Sequence, residues 1–301
     1  MLKRITLLLS AIGMMLAQSA NAGLNVFACE PEWASLAETL GGDLITVTSA
    51  TTARQDPHHI EARPSLIAKL RRADLLVCSG AELEIGWLPM LQRKAGNRQV
   101  LTGQKGFFEA AMLVERLEVP EVLDRSMGDV HASGNPHVHL DPYRLLTIAM
   151  ALSERMIELD PQNGALYEQQ RDEFKQRWLK SIEAWEQAAA PLKDLRLVVH
   201  HKDWSYLFEW LKIVNAGALE PKPGLPATAS HLASLKQELA MRPAAGIIHA
   251  YYQSPKAAKR FSQLSGIEVV ELPYTVGGGA EVSDLFSLYD VTLERLLKLV
   301  Q

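Results

Sequence analysis

Apolar residues along this chain follow two alternating rhythms. Short, nearly unbroken apolar runs at Leu24–Cys29, Leu44–Ser49, Asp74–Cys78 and Arg98–Thr102 read as strands. Strands covered on both faces look unbroken, whereas half-exposed strands alternate. Between the runs, apolar positions recur at helical spacing. One helical stretch, Trp33–Leu40, is stopped by Gly41-Gly42, and another, Arg63–Ala73, has Pro64 near its first turn. Glycine just past a helix and proline just inside one are the expected punctuation.

The middle of the chain changes character. Asp141-Pro142 and Asp160-Pro161 each offer a capping carboxylate followed by proline at the first helical position. After the second, Leu166, Phe174, Trp178, Ile182, Trp185 and Ala189 fall on one stripe with no internal proline. About 30 such residues at 1.5 Å each make a helix roughly 45 Å long. The strand–helix alternation then resumes. Leu195–His200, Ile213–Leu219, Ala245–Ala250 and Ile267–Leu272 read as strands. Ala229–Met241, the stretch from Ser254-Pro255 to Gly266, and Ser283–Leu299 read as helices. The pattern predicts an α/β protein with two parallel-sheet lobes joined by a long rigid helix. The boundaries fall at 23–141 for the N-terminal lobe, 142–190 for the helices that include the linker, and 191–301 for the C-terminal lobe.

The first residues stand apart. Met1-Leu2-Lys3-Arg4, an apolar run to about Leu16, and Ala20-Asn21-Ala22 before Gly23 form a secretory signal peptide over residues 1–22. The expected destination is the periplasm. With 31 Lys+Arg against 35 Asp+Glu, the net charge of −4 gives no footprint for nucleic acid. Two cysteines are too few for a disulfide scaffold or a Cys-rich zinc module. In an oxidising compartment Cys29 and Cys78, each ending a strand run, can pair; the alternative is two small buried hydrophobes.

Chemistry enters with the histidines at 58, 59, 131, 137, 139, 200, 201, 231 and 249. Six of these nine form three close groups: His58-His59, His137 with His139, and His200-His201. Each group lies at a predicted connection, and ligands of parallel α/β sheets bind beyond the carboxyl ends of strands. Neutral imidazole suits zinc, which is commonly four-coordinate. Adjacent histidines rarely both reach one ion, so one ligand per group is expected. His231 and His249 read as structural, with His249 in reserve at a strand end facing the cleft.

These segments resemble the periplasmic zinc/manganese solute-binding proteins of ABC importers, the ZnuA/TroA-like family. The resemblance rests on Asp56-Pro57-His58-His59-Ile60-Glu61 with Arg63-Pro64-Ser65, Asn135-Pro136-His137-Val138-His139-Leu140-Asp141-Pro142, His201-Lys202-Asp203-Trp204-Ser205-Tyr206, and Glu220-Pro221-Lys222-Pro223-Gly224. It covers essentially the whole chain after residue 22. It implies metal ligands at His58, His137 and His201, a cargo of zinc rather than manganese, a membrane permease as partner, and a monomer with no enzymatic activity. The family often draws a fourth ligand from a late loop, where this chain has Leu272. That ligand stays open among water, Glu61, Glu271, Asp284 and His249. The long His-rich loop of many zinc importers is reduced to Met127–Gly134 with His131. The competing reading is a secreted zinc-dependent hydrolase using the same histidines, with Glu61 as base.

Overall fold

The computed structural model describes residues 23–121 and 131–301. The segment 1–22, read above as a signal peptide, lies outside the described residues, as do residues 127–130 of Met127–Gly134.

Two sheets of four parallel strands form the two lobes. The first contains β1 (Asn25–Ala28), β2 (Thr46–Ser49), β3 (Leu75–Cys78) and β4 (Phe107–Glu109), in the order β2-β1-β3-β4. The second contains β5 (Arg196–Val199), β6 (Val214–Ala218), β7 (Gly246–Ala250) and β8 (Val269–Leu272), in the order β6-β5-β7-β8. In each lobe the strand order reverses beside the lobe's first strand, and that switch opens a crevice at the carboxyl ends of the strands.

Helices cover both sheets. The first lobe has α1 (Pro31–Gly41), α2 (Pro64–Leu70) and α3 (Leu88–Ala95). Next come α4 (Pro142–Leu159), capped by the Asp141 side chain on the Tyr143 and Arg144 amides, and α5 (Gly164–Ala189). The second lobe adds α6 (Ser205–Leu211), α7 (Ala229–Leu239), α8 (Lys256–Ser265) and α9 (Leu285–Leu297). Gly266, at φ 77°, ends α8 in the left-handed conformation that glycine adopts without a Cβ penalty.

The linker α5 has 26 residues, about 39 Å at 1.5 Å per residue. Its buried stripe is Tyr167, Phe174, Trp178, Ile182, Trp185 and Ala189. Leu166, expected on that stripe, is 47% exposed; its neighbour Tyr167 holds the place and donates to Asp160 Oδ2. Trp185 stacks on Tyr289 of α9 with ring centroids 4.7 Å apart, and the Trp178 indole donates to the Pro142 carbonyl at the start of α4. One hydrophobic core runs from β1 and α1 through α4 and α5 to α9. The lobes therefore share a core.

The fourth strand of the first sheet is a correction. Arg98–Thr102 does not form it. Asn97 accepts from the Gln99 amide and donates to the carbonyls of Leu70 and Ala73, which sets Arg98–Val100 in a 3-10 turn. The strand is the short Phe107–Glu109 run, registered on Leu76–Cys78.

Cys29 and Cys78 form a disulfide between the ends of β1 and β3, with Cα atoms 4.8 Å apart. Among the described residues no helix is long and apolar enough to cross a membrane.

Candidate metal centre

Three connections bring the expected histidines to the crevice between the lobes. His58 lies on the loop after β2, where Asp56 Oδ1 accepts from the His58 backbone amide at 3.0 Å and closes a tight local turn. The Trp87 indole donates to the Pro57 carbonyl and pins this loop to the first lobe. His137 follows Asn135-Pro136, and its amide donates to Asn135 Oδ1. Asn135 Nδ2 reaches across to the Lys202 carbonyl, tying this turn to the second lobe. His201 stands two residues past the end of β5.

The three rings converge. The His58 ring centroid is 5.9 Å from that of His137 and 5.9 Å from that of His201. Each ring also has its Nδ1 on an oxygen. His58 Nδ1 meets Asp56 Oδ1 at 2.8 Å, His137 Nδ1 meets the Tyr274 hydroxyl at 2.5 Å, and His201 Nδ1 meets Glu220 Oε2 at 2.6 Å. A proton on Nδ1 donated to that oxygen leaves Nε2 as a lone pair. This is how proteins orient metal-binding imidazoles and raise their basicity.

The partner histidines lie elsewhere. His139 is fully buried, with Nε2 on the Tyr274 carbonyl and Nδ1 3.3 Å from Glu32 Oε1. His59 is exposed, and His200 Nε2 lies 3.7 Å from Glu220 Oε1. His231 and His249 use ring nitrogens on the carbonyls of Ala218 and Ala250.

Two residues not foreseen as ligands join the cluster. Around this centre, ligand atoms within 4.8 Å of one another form two groups among the described residues: His58 with His131 and His137, and His137 with His201 and Asp203. None of the proposed fourth ligands belongs to either. Glu61, also the base of the hydrolase alternative, is exposed. Asp284 caps α9 on the Ser287 amide. Asp203 stood inside the third histidine segment, but one aspartate at the start of a helix gives no sign of burial. His131 stood in a short loop with no strand or helix to fix where it would land.

The electrostatics divide the cluster. Burial, reinforced by the surrounding histidines, holds His137 well below the usual imidazole range. Burial together with His58 and His201 pulls His131 down to about 4. At His201 burial acts downward but is outweighed by the Asp203 and Glu220 carboxylates, which push it up to about 9. Burial raises Asp203 against the opposing pull of His201 and His58. His137 and His131 are thus held neutral, while His201 holds its proton. The cleft outside, about 370 Å³, is lined by His58, His201, Glu220, Tyr252 and Gln253 among others.

Comparison with known proteins places this geometry in context. Residues 26–298 match the family described as zinc-uptake complex component A, periplasmic. A manganese ABC transporter substrate-binding lipoprotein of Streptococcus gordonii, scaA, is 28% identical over 153 residues, 50% of this chain and 46% of that protein. The high-affinity zinc uptake system protein ZnuA of Yersinia pestis is 24% identical over 196 residues, 61% of each chain. The chain spans about half the length of the first curated relatives it matches, 46% to 53%. A crystal structure of ZnuA superposes with a TM-score of 0.77 at 21% identity, covering 93% of this chain and 100% of that one. This last likeness is one of fold.

Proposed function

We propose a function from one premise: the chain belongs to the periplasmic zinc-uptake complex component A family. It is the metal-binding component of an ABC importer, held in the periplasm after export, taking its ion in the crevice between the lobes and delivering it to a membrane permease. The cargo is zinc, and His58, His137 and His201 bind it. The supporting observation is that each of these rings is fixed through Nδ1 by an oxygen, with the three rings gathered in one crevice. Convergent neutral nitrogen donors favour zinc over the harder manganese ion.

The ion loses most of its water on entry and displaces the proton held at His201. Affinity then rises with pH toward about 9, the value at which His201 gives up that proton unaided. The shared core along α5 makes wide separation of the lobes costly, so uptake proceeds with modest lobe motion.

Calorimetric zinc titration of His58→Ala, His137→Ala and His201→Ala tests the assignment. Each variant is expected to lose at least roughly 10- to 100-fold in affinity, the range already seen when outer-shell partners of metal ligands are removed. Wild-type affinity in all three would refute it.

A further inference from the structure

We propose that His131 is the fourth ligand, completing an all-imidazole set, and that Asp203 stays outside that set. This rests on the reading of His58, His137 and His201 as ligands.

The first observation is a distance. His131 Nε2 lies 3.3 Å from His58 Nε2. Tetrahedral zinc with Zn–N bonds of 2.0–2.1 Å separates its nitrogens by about 3.3–3.4 Å. The second is proton placement. His58 commits its Nδ1 to Asp56, and the His131 ring is hydrogen-bonded to the backbone of Glu82 as donor. With both protons so placed the two Nε2 atoms present lone pairs to one another, and either a proton on one of them or a cation between them satisfies the 3.3 Å separation.

The third observation is the support beneath His131. Glu82 Oε2 accepts from the Ala132 amide, so one residue holds this segment by side chain and backbone together. Glu82 follows Gly80 and Ala81 at the end of β3, and all three have left-handed φ values of 73°, 47° and 70°. Two consecutive non-glycine residues in that region are costly, and such strain persists where the surroundings enforce it.

Asp203 is differently placed. Its Oδ1 is 3.6 Å from His137 Nε2, and its oxygens already accept from the Tyr252 hydroxyl and from Gln253 Nε2 at 2.7 Å. It is fully buried and offers charge where a ligand would have to surrender these bonds.

The test uses the metal-stripped chain with zinc, manganese and cobalt(II) as probes, the cobalt visible spectrum reporting coordination number. His131→Ala is expected to lose at least about tenfold in zinc affinity, to change manganese affinity far less, and to lose the intense four-coordinate cobalt bands. Glu82→Ala is expected to move in the same direction by less, and Glu82→Gln to retain most of the affinity. Asp203→Asn is expected to weaken zinc binding while keeping the four-coordinate spectrum. An unchanged spectrum and zinc affinity in His131→Ala overturns the proposal; loss of the four-coordinate bands in Asp203→Asn alone reassigns the ligand to Asp203. His58→Ala is the control: if it too binds zinc normally, the three-histidine reading has failed rather than this one.

Discussion

The two lobes share a strand order, and their differences concentrate at one equivalent place. In the first sheet the residue after β1 pairs with the end of β3, and these are Cys29 and Cys78, with the Cys29 amide on the Val77 carbonyl. In the second sheet the residue after β5 is His200, whose amide meets the Ile248 carbonyl, and continuing the register sets it beside His249. His200 and His249 stand 49 residues apart, as the two cysteines do. One lobe closes its switch point with a covalent bond, and the other fills it with imidazoles. The first lobe sends its candidate ligand out on the long loop that carries His58. The second delivers His201 directly from a strand end and surrounds it with Asp203 and Glu220. A covalently fixed sheet tolerates a ligand on a loop; a ligand next to the strand comes with buried charge.

The strongest way to break this comparison is to exchange the two switch points. Replacing both cysteines with Ser removes a cross-link spanning 49 residues, a loss of about 4 kcal/mol in the loop-closure model. Denaturant unfolding of the metal-free chain should show it as a lower midpoint. His200→Cys with His249→Cys should form the matching bond under oxidising conditions and gain about 2–4 kcal/mol, read by the same curves. A double variant whose thiols stay free would show that the two switch points are not equivalent.

A smaller effect separates the ligand supports. Asp56→Ala and Glu220→Ala should each weaken zinc binding by roughly 10- to 100-fold. Glu220→Ala should also lower the pH at which affinity levels off, and more than Asp56→Ala does, because Glu220 raises His201 by a direct hydrogen bond as well as by charge whereas Asp56 acts by charge alone. Calorimetry across pH 6 to 9 distinguishes the two.

The smallest effects are opposite pH slopes of stability. In the first lobe, burial raises Glu84 to about 7 and, with Glu84 and Glu32 nearby, raises Glu30 well above its ordinary value. The folded state then binds more protons than the unfolded one, so this contribution is present below the unfolded value and is lost as pH rises toward about 7. In the second lobe burial lowers His200, against the pull of Glu220 and Asp203. The folded state there binds fewer protons, and stability is lost as pH falls below the unfolded value. Thermal melts of Glu84→Gln should lose the fall in stability as pH rises from 4.5 to about 7, and those of His200→Gln should lose the fall in stability as pH drops below 6.5. Parallel melts for both variants would remove this contrast between the lobes.

Much of the architecture was legible in the sequence because parallel strands must be apolar on both faces and long helices must carry a stripe. The failures came where a segment is too short to show a period. Phe107–Glu109 has three residues, and Leu88–Ala95 opens with Leu88-Pro89 inside a stretch without strand punctuation. Leu166 and Tyr167 are adjacent apolar residues, and only packing decides which turns inward. At the site, local spacing pointed to His58, His137 and His201. It could not find Asp203 or His131, whose approach to the cluster depends on the docking of one lobe on the other and on the clamp at Glu82. The buried carboxylates Glu30, Glu32 and Glu84 were equally invisible, since sequence shows charge and not depth.

Tyr274 carries a consequence for motion. Its hydroxyl holds the His137 ring and its carbonyl holds the His139 ring two residues on. It follows β8, so one residue of the second lobe grips both histidines of the segment that crosses between the lobes. His137 cannot swing its Nε2 out of the crevice without first giving up the Tyr274 bond in a buried setting, where a broken bond finds no water to replace it. In the proposed ligand assignment, Tyr274 therefore sets how freely His137 can turn toward or away from the ion.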